Sequence, residues 1–126
     1  MKTLLLVGLG GSVGAVLRYG TSTLVQRFAS HGFPLGTLFV NLVGCLIIGA
    51  LMALVQSRAG LSTELRLLLV VGLLGSFTTF STFGHETLTL MQSEQHGLAL
   101  LNVLASVVVG VLAVWVGHLS LRALIS

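Results

Sequence analysis

Formal charge is what this chain has least of. Six basic and three acidic residues serve all 126 positions, so only 7% of the chain is charged, against about 25% in soluble domains. Nine charges cannot cover a water-soluble surface of this size, so the chain needs an apolar solvent. Its basic residues are scattered and form no run, which leaves nothing of the electrostatic footprint a nucleic-acid binder requires. The single Cys45 excludes an intrachain disulfide. The single Pro34 falls between apolar runs, where it suits the first turn of a helix. The four histidines, His31, His85, His96 and His118, share no metal-ligand spacing and read as interfacial or loop residues.

What is present is hydrophobicity: 55% of the residues are apolar, and the mean hydropathy is +1.07. The chain therefore reads as an integral membrane protein. Residues 28–57, 67–85 and 97–121 contain no formal charge, and 3–17 is a further apolar run ending at Arg18. Crossing a hydrocarbon core of about 30 Å takes about 20 mainly apolar residues. These positions predict four transmembrane helices, roughly 3–26, 35–56, 63–92 and 97–122. Continuous rather than alternating hydrophobicity selects helices over a barrel. The fold class is all-α, a single four-helix transmembrane domain over 1–126. Ser62 or Thr63 suits the cap of the third helix, with Glu64 in its first turn. The connections are too short to hold a soluble domain.

The N-terminus carries a decoy. Residues 4–14 look like a strand entering a dinucleotide-binding turn, but Val13 stands where the fingerprint needs glycine. The acid expected about 20 residues later is absent as well, because the first in the chain is Glu64. No nucleotide partner is expected. A signal peptide fits the start loosely, but the run continues into Arg18 without a convincing cleavage site, so it reads as a retained helix. The sixteen glycines are explained by close helix packing in lipid. Gly10 and Gly14 are four apart; Asn41, Cys45 and Gly49 share a face; so do Asn102, Ser106 and Gly110, with Gly117 near that stripe. Each stripe is either a packing seam or a pore lining.

The third span is different. Between Gly75 and Thr82 it crowds glycine, serines and threonines around Phe77 and Phe80. Hydroxyls compete for backbone hydrogen bonds. Either this helix is unbroken, with its hydroxyls bonded back one turn, or it breaks and exposes carbonyls in mid-membrane. Exposed carbonyls survive there only when buried in protein, facing water or binding an ion.

Three motifs appear in order: Gly10-Gly11-Ser-Val-Gly14-Ala15-Val-Leu-Arg18-Tyr19, Gly36-Thr37-Leu-Phe-Val40-Asn41-Leu-Val-Gly44, and Gly75-x-x-Thr78-Thr-Phe80-Ser81-Thr82-Phe83. Together they resemble the Fluc (CrcB) family of bacterial fluoride channels, and the resemblance extends over the full sequence. It implies a passive, fluoride-selective channel, not an enzyme, that exports cytoplasmic fluoride across the bacterial inner membrane and confers fluoride resistance. It implies an antiparallel, dual-topology homodimer with two pores and a third helix broken near its middle. A structural sodium ion, Na+, is implied at the dimer centre, held by the backbone carbonyls of Gly75 and Thr78 from both subunits. The implied fluoride path uses Asn41, the ring edges of Phe80 and Phe83, and the hydroxyls of Ser81 and Thr82. Asn102 and Ser106 are all that remains here of a longer polar line on the fourth helix. Arg18 matches a basic vestibule residue; its plainer role is snorkelling to the headgroups. Glu86 and Thr37 are supporting positions, with Glu86 anchoring hydroxyls or taking up a proton.

This chemistry is intelligible. Fluoride is small and tightly hydrated, so a filter replaces water with donors; Asn41 offers two N–H groups and each hydroxyl one. A ring edge is weakly positive, and weak contacts at several sites favour throughput. Hard cations prefer oxygen ligands. Charge bias is small: Lys2, Arg58, Arg66 and Arg122 stand on the terminal side against Arg27, with Arg18 near it, which permits insertion both ways. Two alternatives remain. A small multidrug-type transporter needs a membrane carboxylate in its first helix, and none exists. A non-transporting assembly subunit leaves the hydroxyl-rich third span unexplained.

Overall fold

The computed structural model describes residues 1–57 and 60–125, so Arg58, which enters the charge bias above, lies outside the described residues. Those described form helices, turns and short connections. Four spans are long and apolar enough to cross a membrane, within a few residues of the expected bounds. They are α1, Lys2–Gln26; α2, Leu35–Gln56; a third span, Thr63–Gln92; and α5, His96–Ile125. The third span consists of α3, residues 63–77, and α4, Phe80–Gln92, joined through Thr78 and Thr79. Leu67–Leu74 of α3 and Ala105–Val109 of α5 are wound as π-helix, a rare geometry that frequently marks functional sites.

The helix ends follow local chemistry. The turn from α1 to α2 takes left-handed backbone at His31 and Gly32, with φ of 55° and 73°. The Gln26 side chain fastens it, donating to Phe33 O at 2.9 Å and accepting from Gly36 N at 2.9 Å. Pro34 stands at the cap of α2, one residue before the expected first turn, and its carbonyl accepts Leu38 N–H at 3.1 Å. At that position its missing N–H costs nothing, because no helical acceptor exists. Ser62, of the two candidates, caps α3 by accepting Leu65 N–H at 3.2 Å. Glu64 in the same turn pairs with Lys2, tying the start of α3 to the start of α1.

Small residues set the packing, as membrane helices require. Gly10 and Gly14 of α1 lie so close to the backbone between Leu68 and Leu73 that a methyl group at either would overlap a carbonyl. Gly49 of α2 meets Val114 of α5, Gly117 meets Leu46, and Gly110 faces Cys45. The first and third spans thus pack as one pair, and α2 with α5 as another. The buried core is small, with Val40, Ala53, Leu74, Phe77, Leu90 and Ala99 among its members. Large apolar side chains such as Leu5, Val16, Val111 and Trp115 point outward from the single subunit, which suits lipid or a second subunit.

Candidate ion path at the junction of the third span

The junction is built by two extended residues. Thr78 has φ −86° and ψ 158°, and Thr79 φ −152° and ψ 119°. β-branched side chains favour such backbone. α3 ends with the Thr78 N–H and hydroxyl both donating to Leu74 O, at 3.1 and 3.0 Å. The Thr78 methyl sits where a side chain on Gly44 would be, so α2 can approach only because that position is glycine.

Thr79 is then held on three sides. Its N–H donates to Asn41 Oδ1 at 2.8 Å, and its carbonyl accepts from Asn41 Nδ2 at 3.0 Å. The Asn41 amide thereby pairs with Thr79 as a neighbouring strand would. Thr79 Oγ1 caps α4, accepting Thr82 N–H at 3.3 Å and donating to Thr82 Oγ1 at 3.0 Å. Ser81 Oγ lies 3.4 Å from the same hydroxyl. Asn41 thus has one of its two N–H donors engaged by protein.

These bonds change the accounts of two other groups. In an uninterrupted helix each N–H bonds the carbonyl four residues back. Gly75 O would then take Thr79 N–H, and Thr78 O would take Thr82 N–H. Here Asn41 Oδ1 takes the first and Thr79 Oγ1 the second. Four carbonyls lose their helical donors where α3 ends, those of Gly75, Ser76, Phe77 and Thr78. Of these, the Gly75 and Thr78 oxygens are the two whose donors are taken by these side chains, and hard oxygens of this kind suit a small cation. The junction also sets two opposite poles side by side. The C-terminal carbonyls of α3 carry partial negative charge, and the N-terminus of α4 partial positive charge.

A cavity of about 360 Å³ opens beside the junction. Asn41, Gly75, Thr78, Phe80, Phe83 and Ser106 border it, together with Thr79 and Cys45. Phe83 is 8% exposed and Phe80 82% exposed, so the first ring is core and the second lies on the outside of the single subunit. Their centroids are 5.4 Å apart with planes inclined at 49°. Ser106 sits on the π-helical stretch of α5, and its hydroxyl is buried without a hydrogen-bond partner in the protein.

A second group lies beyond Phe83 along α4. Buried Thr37 donates to Glu86 Oε1 at 2.7 Å. The other carboxylate oxygen, Oε2, is buried without a partner. Glu86 also borders a cavity of about 410 Å³ with Gln26, His85 and Gln95.

The structure therefore gathers six of the expected residues around one cavity, links Ser81 and Thr82 to it through Thr79, and pairs Thr37 with Glu86. It places two elsewhere. Asn102 is 1% exposed and does not border the junction cavity; its amide donates to Thr87 Oγ1 at 2.9 Å, and that hydroxyl in turn donates to Phe83 O at 2.8 Å. Arg18, half-exposed on α1, does not border it either. Thr79 was not among the expected site residues. Its signal was a threonine three positions before Thr82, immediately ahead of the resumed helix, which is where an N-cap belongs.

The sequence model of the family described as "CrcB-like protein, Camphor Resistance (CrcB)" matches residues 5–118. A protein of Magnetococcus marinus named "Fluoride-specific ion channel FluC" is 51% identical over 111 residues, 88% of this chain and 90% of that one. One of Thermus thermophilus with the same name is 46% identical over 118 residues, 94% of each protein. "Fluoride-specific ion channel FluC 1" of Methanosarcina acetivorans is 45% identical over 120 residues, 95% of this chain and 91% of that one.

Proposed function

We propose, since the chain belongs to the CrcB-like family, that it is a fluoride-selective ion channel that lets cytoplasmic fluoride leave the cell passively. The observation that carries this reading is the junction at Thr78–Thr79, where donors and two phenylalanine rings gather beside one cavity in an otherwise apolar protein. It is not an enzyme: the relatives are named as ion channels, and the site offers binding rather than bond-making chemistry.

Fluoride entering the cavity gives up water. The remaining N–H of Asn41 and the hydroxyls of Ser81, Thr82 and Ser106 supply donors in its place. Phe80 and Phe83 add weakly positive ring edges. No single contact is strong, which lets the ion leave again. Beyond Phe83 the path approaches Thr37 and Glu86, where the carboxylate orients the threonine hydroxyl. Arg18 raises the local anion concentration at a vestibule.

The assembly proposed is an antiparallel homodimer in the bacterial inner membrane with two pores. Its support is the nearly free Phe80 ring, the open side of the cavity and the small charge bias between the two ends. In that dimer the carbonyls of Gly75 and Thr78 from both subunits would hold sodium, which supplies fixed positive charge at the centre. The carbonyls fit that role because both lack their helical donors. Purified protein in liposomes tests the reading: fluoride should pass down its gradient without ATP, with chloride orders of magnitude slower. Equal fluxes of the two anions, or a strict need for a proton gradient, sink it. Labelling of a Ser93→Cys variant, with Cys45 replaced, should occur from both faces of the membrane; labelling from one face only refutes dual insertion.

A further inference from the structure

We infer that Thr79 is the positioning residue of the cation site: it touches no ion itself but, clamped by Asn41, keeps the helical donors away from both carbonyls that would hold one. This rests on the proposed sodium site and adds to it the residue that makes the site. The hydrogen-bond accounts carry the argument. The backbone N–H of Thr79 is the donor that Gly75 O would have in a continuous helix, and it is turned to Asn41 Oδ1 at 2.8 Å. The side chain of Thr79 takes Thr82 N–H, the donor that Thr78 O would have, at 3.3 Å. One residue thus diverts both donors, the first with its backbone and the second with its hydroxyl. Its carbonyl is fixed by Asn41 Nδ2 at 3.0 Å, so its orientation is set from both sides.

The hydroxyl is the part that substitution can remove. Thr79→Val keeps the shape and the β-branch that favours extended backbone, but offers Thr82 N–H no acceptor. In an apolar setting that N–H must find another oxygen, and the nearest in sequence that a helix supplies is Thr78 O. The carbonyl is then capped by protein and lost to the cation. Thr79→Ser keeps the acceptor. A second N-cap in the same protein serves as control: Ser62 Oγ accepts Leu65 N–H at 3.2 Å at the start of α3, with no proposed ion site beside it.

The experiment follows thermal unfolding of the purified full-length protein in detergent while sodium replaces choline at constant ionic strength. A ligand at free concentration L that binds only the folded state stabilises it by RT ln(1 + L/Kd), and the concentration at which this gain reaches RT ln 2 is the half-saturating or half-effect concentration. Parent and Thr79→Ser should show the same half-effect sodium concentration. Ser62→Ala should unfold at a lower temperature by a constant offset, with that concentration unchanged. Thr79→Val should raise it about tenfold or more, the loss of one ion–carbonyl contact. Thr79→Ala is the second variant, with the same loss expected, should the valine protein not assemble. A parental half-effect concentration in either variant overturns the inference. So does an equal shift in Ser62→Ala, which would mean that capping in general is being read. A parent insensitive to sodium removes the cation site and this inference with it, while fluoride efflux from liposomes, measured separately, decides the channel reading by itself.

Discussion

Replacing Asn41 by leucine tests whether the junction is held by an amide. Leucine fills nearly the same volume and removes both hydrogen bonds to Thr79, at 2.8 and 3.0 Å. It leaves the Thr79 N–H unpaired in a part-buried site, while the Thr79 carbonyl, at the N-cap of α4, loses one partner and keeps the first helical bond. An unpaired group costs about 1–3 kcal/mol and a lost hydrogen bond about 1 kcal/mol, so the unrelaxed penalty is about 2–4 kcal/mol. The protein has one way to recover: Thr79 N–H can swing back to Gly75 O and restore a helical bond. That leaves a net loss of about 1 kcal/mol. The relaxation has a functional consequence, because it closes the Gly75 carbonyl and removes the amide from the cavity. Fluoride flux should fall at least about tenfold, corresponding to about 1.4 kcal/mol on the barrier. Asn41→Asp separates the two roles. Its carboxylate can still accept Thr79 N–H, so stability should lie between parent and leucine variant, but its negative charge faces the anion path and flux should be lost. The assays are reversible unfolding in mixed detergent and fluoride efflux from liposomes. An Asn41→Leu protein that is as stable as the parent and conducts as well would show that the clamp does not exist in the membrane.

Phe80→Ile and Phe83→Ile should each cut fluoride efflux strongly, and Phe83→Ile, the buried one, should also cost about 1 kcal/mol of stability, whereas Phe28→Ile should leave efflux unchanged. Ser106→Ala removes a buried hydroxyl without a partner, so it should leave stability unchanged or improve it while lowering flux; a destabilised variant would mean that the hydroxyl serves the fold. Gly14→Ala drives a methyl into the Leu73 carbonyl and should destabilise by about 1–3 kcal/mol, while Gly8→Ala, with open space around it, should unfold like the parent.

The four spans were legible because scarcity of charge and length are one-dimensional signals. The bounds 35–56 for α2 and 63–92 for the third span agree with the structure, and the other two differ by one to three residues at an end. The small-residue spacing of Gly10 and Gly14 was legible as a close contact for the same reason. It did not reveal that the surface in contact is a π-helical stretch, because nothing in the apolar run 67–74 distinguishes one winding from another. At the junction, residue types pointed to hydroxyl chemistry, but a list of types assigns no bond. Asn41 was read as a donor of two N–H groups; that its oxygen and one of its nitrogen hydrogens go to Thr79 depends on how α2 meets the third span, 38 positions away in sequence. Asn102 shared a stripe with Ser106 by spacing alone, and only the packing of α5 on α4 decides that its amide reaches Thr87.

An interrupted helix inside a bilayer must answer for each backbone group it releases, and the answers here are unequal. Two of the freed N–H groups at the junction find side-chain acceptors: Asn41 Oδ1 for Thr79 and Thr79 Oγ1 for Thr82. Gln26 performs a like task at the turn between α1 and α2, where Phe33 O and Gly36 N share one amide. The contrast lies in the carbonyls. At the Gln26 turn the amide serves one carbonyl and one N–H and displaces no carbonyl from a helix. At the junction, satisfying the two N–H groups withdraws them from Gly75 O and Thr78 O. An amide and a hydroxyl therefore shift the shortage from donors to acceptors, and a shortage of donors to carbonyl oxygen is what a cation relieves. The hydroxyls of Ser81 and Thr82 and the N-terminus of α4 lie on the other side of the same two residues, where a positive pole suits an anion. Opposite ionic preferences can stand this close because the backbone reverses its hydrogen-bonding polarity between the end of one helix and the start of the next.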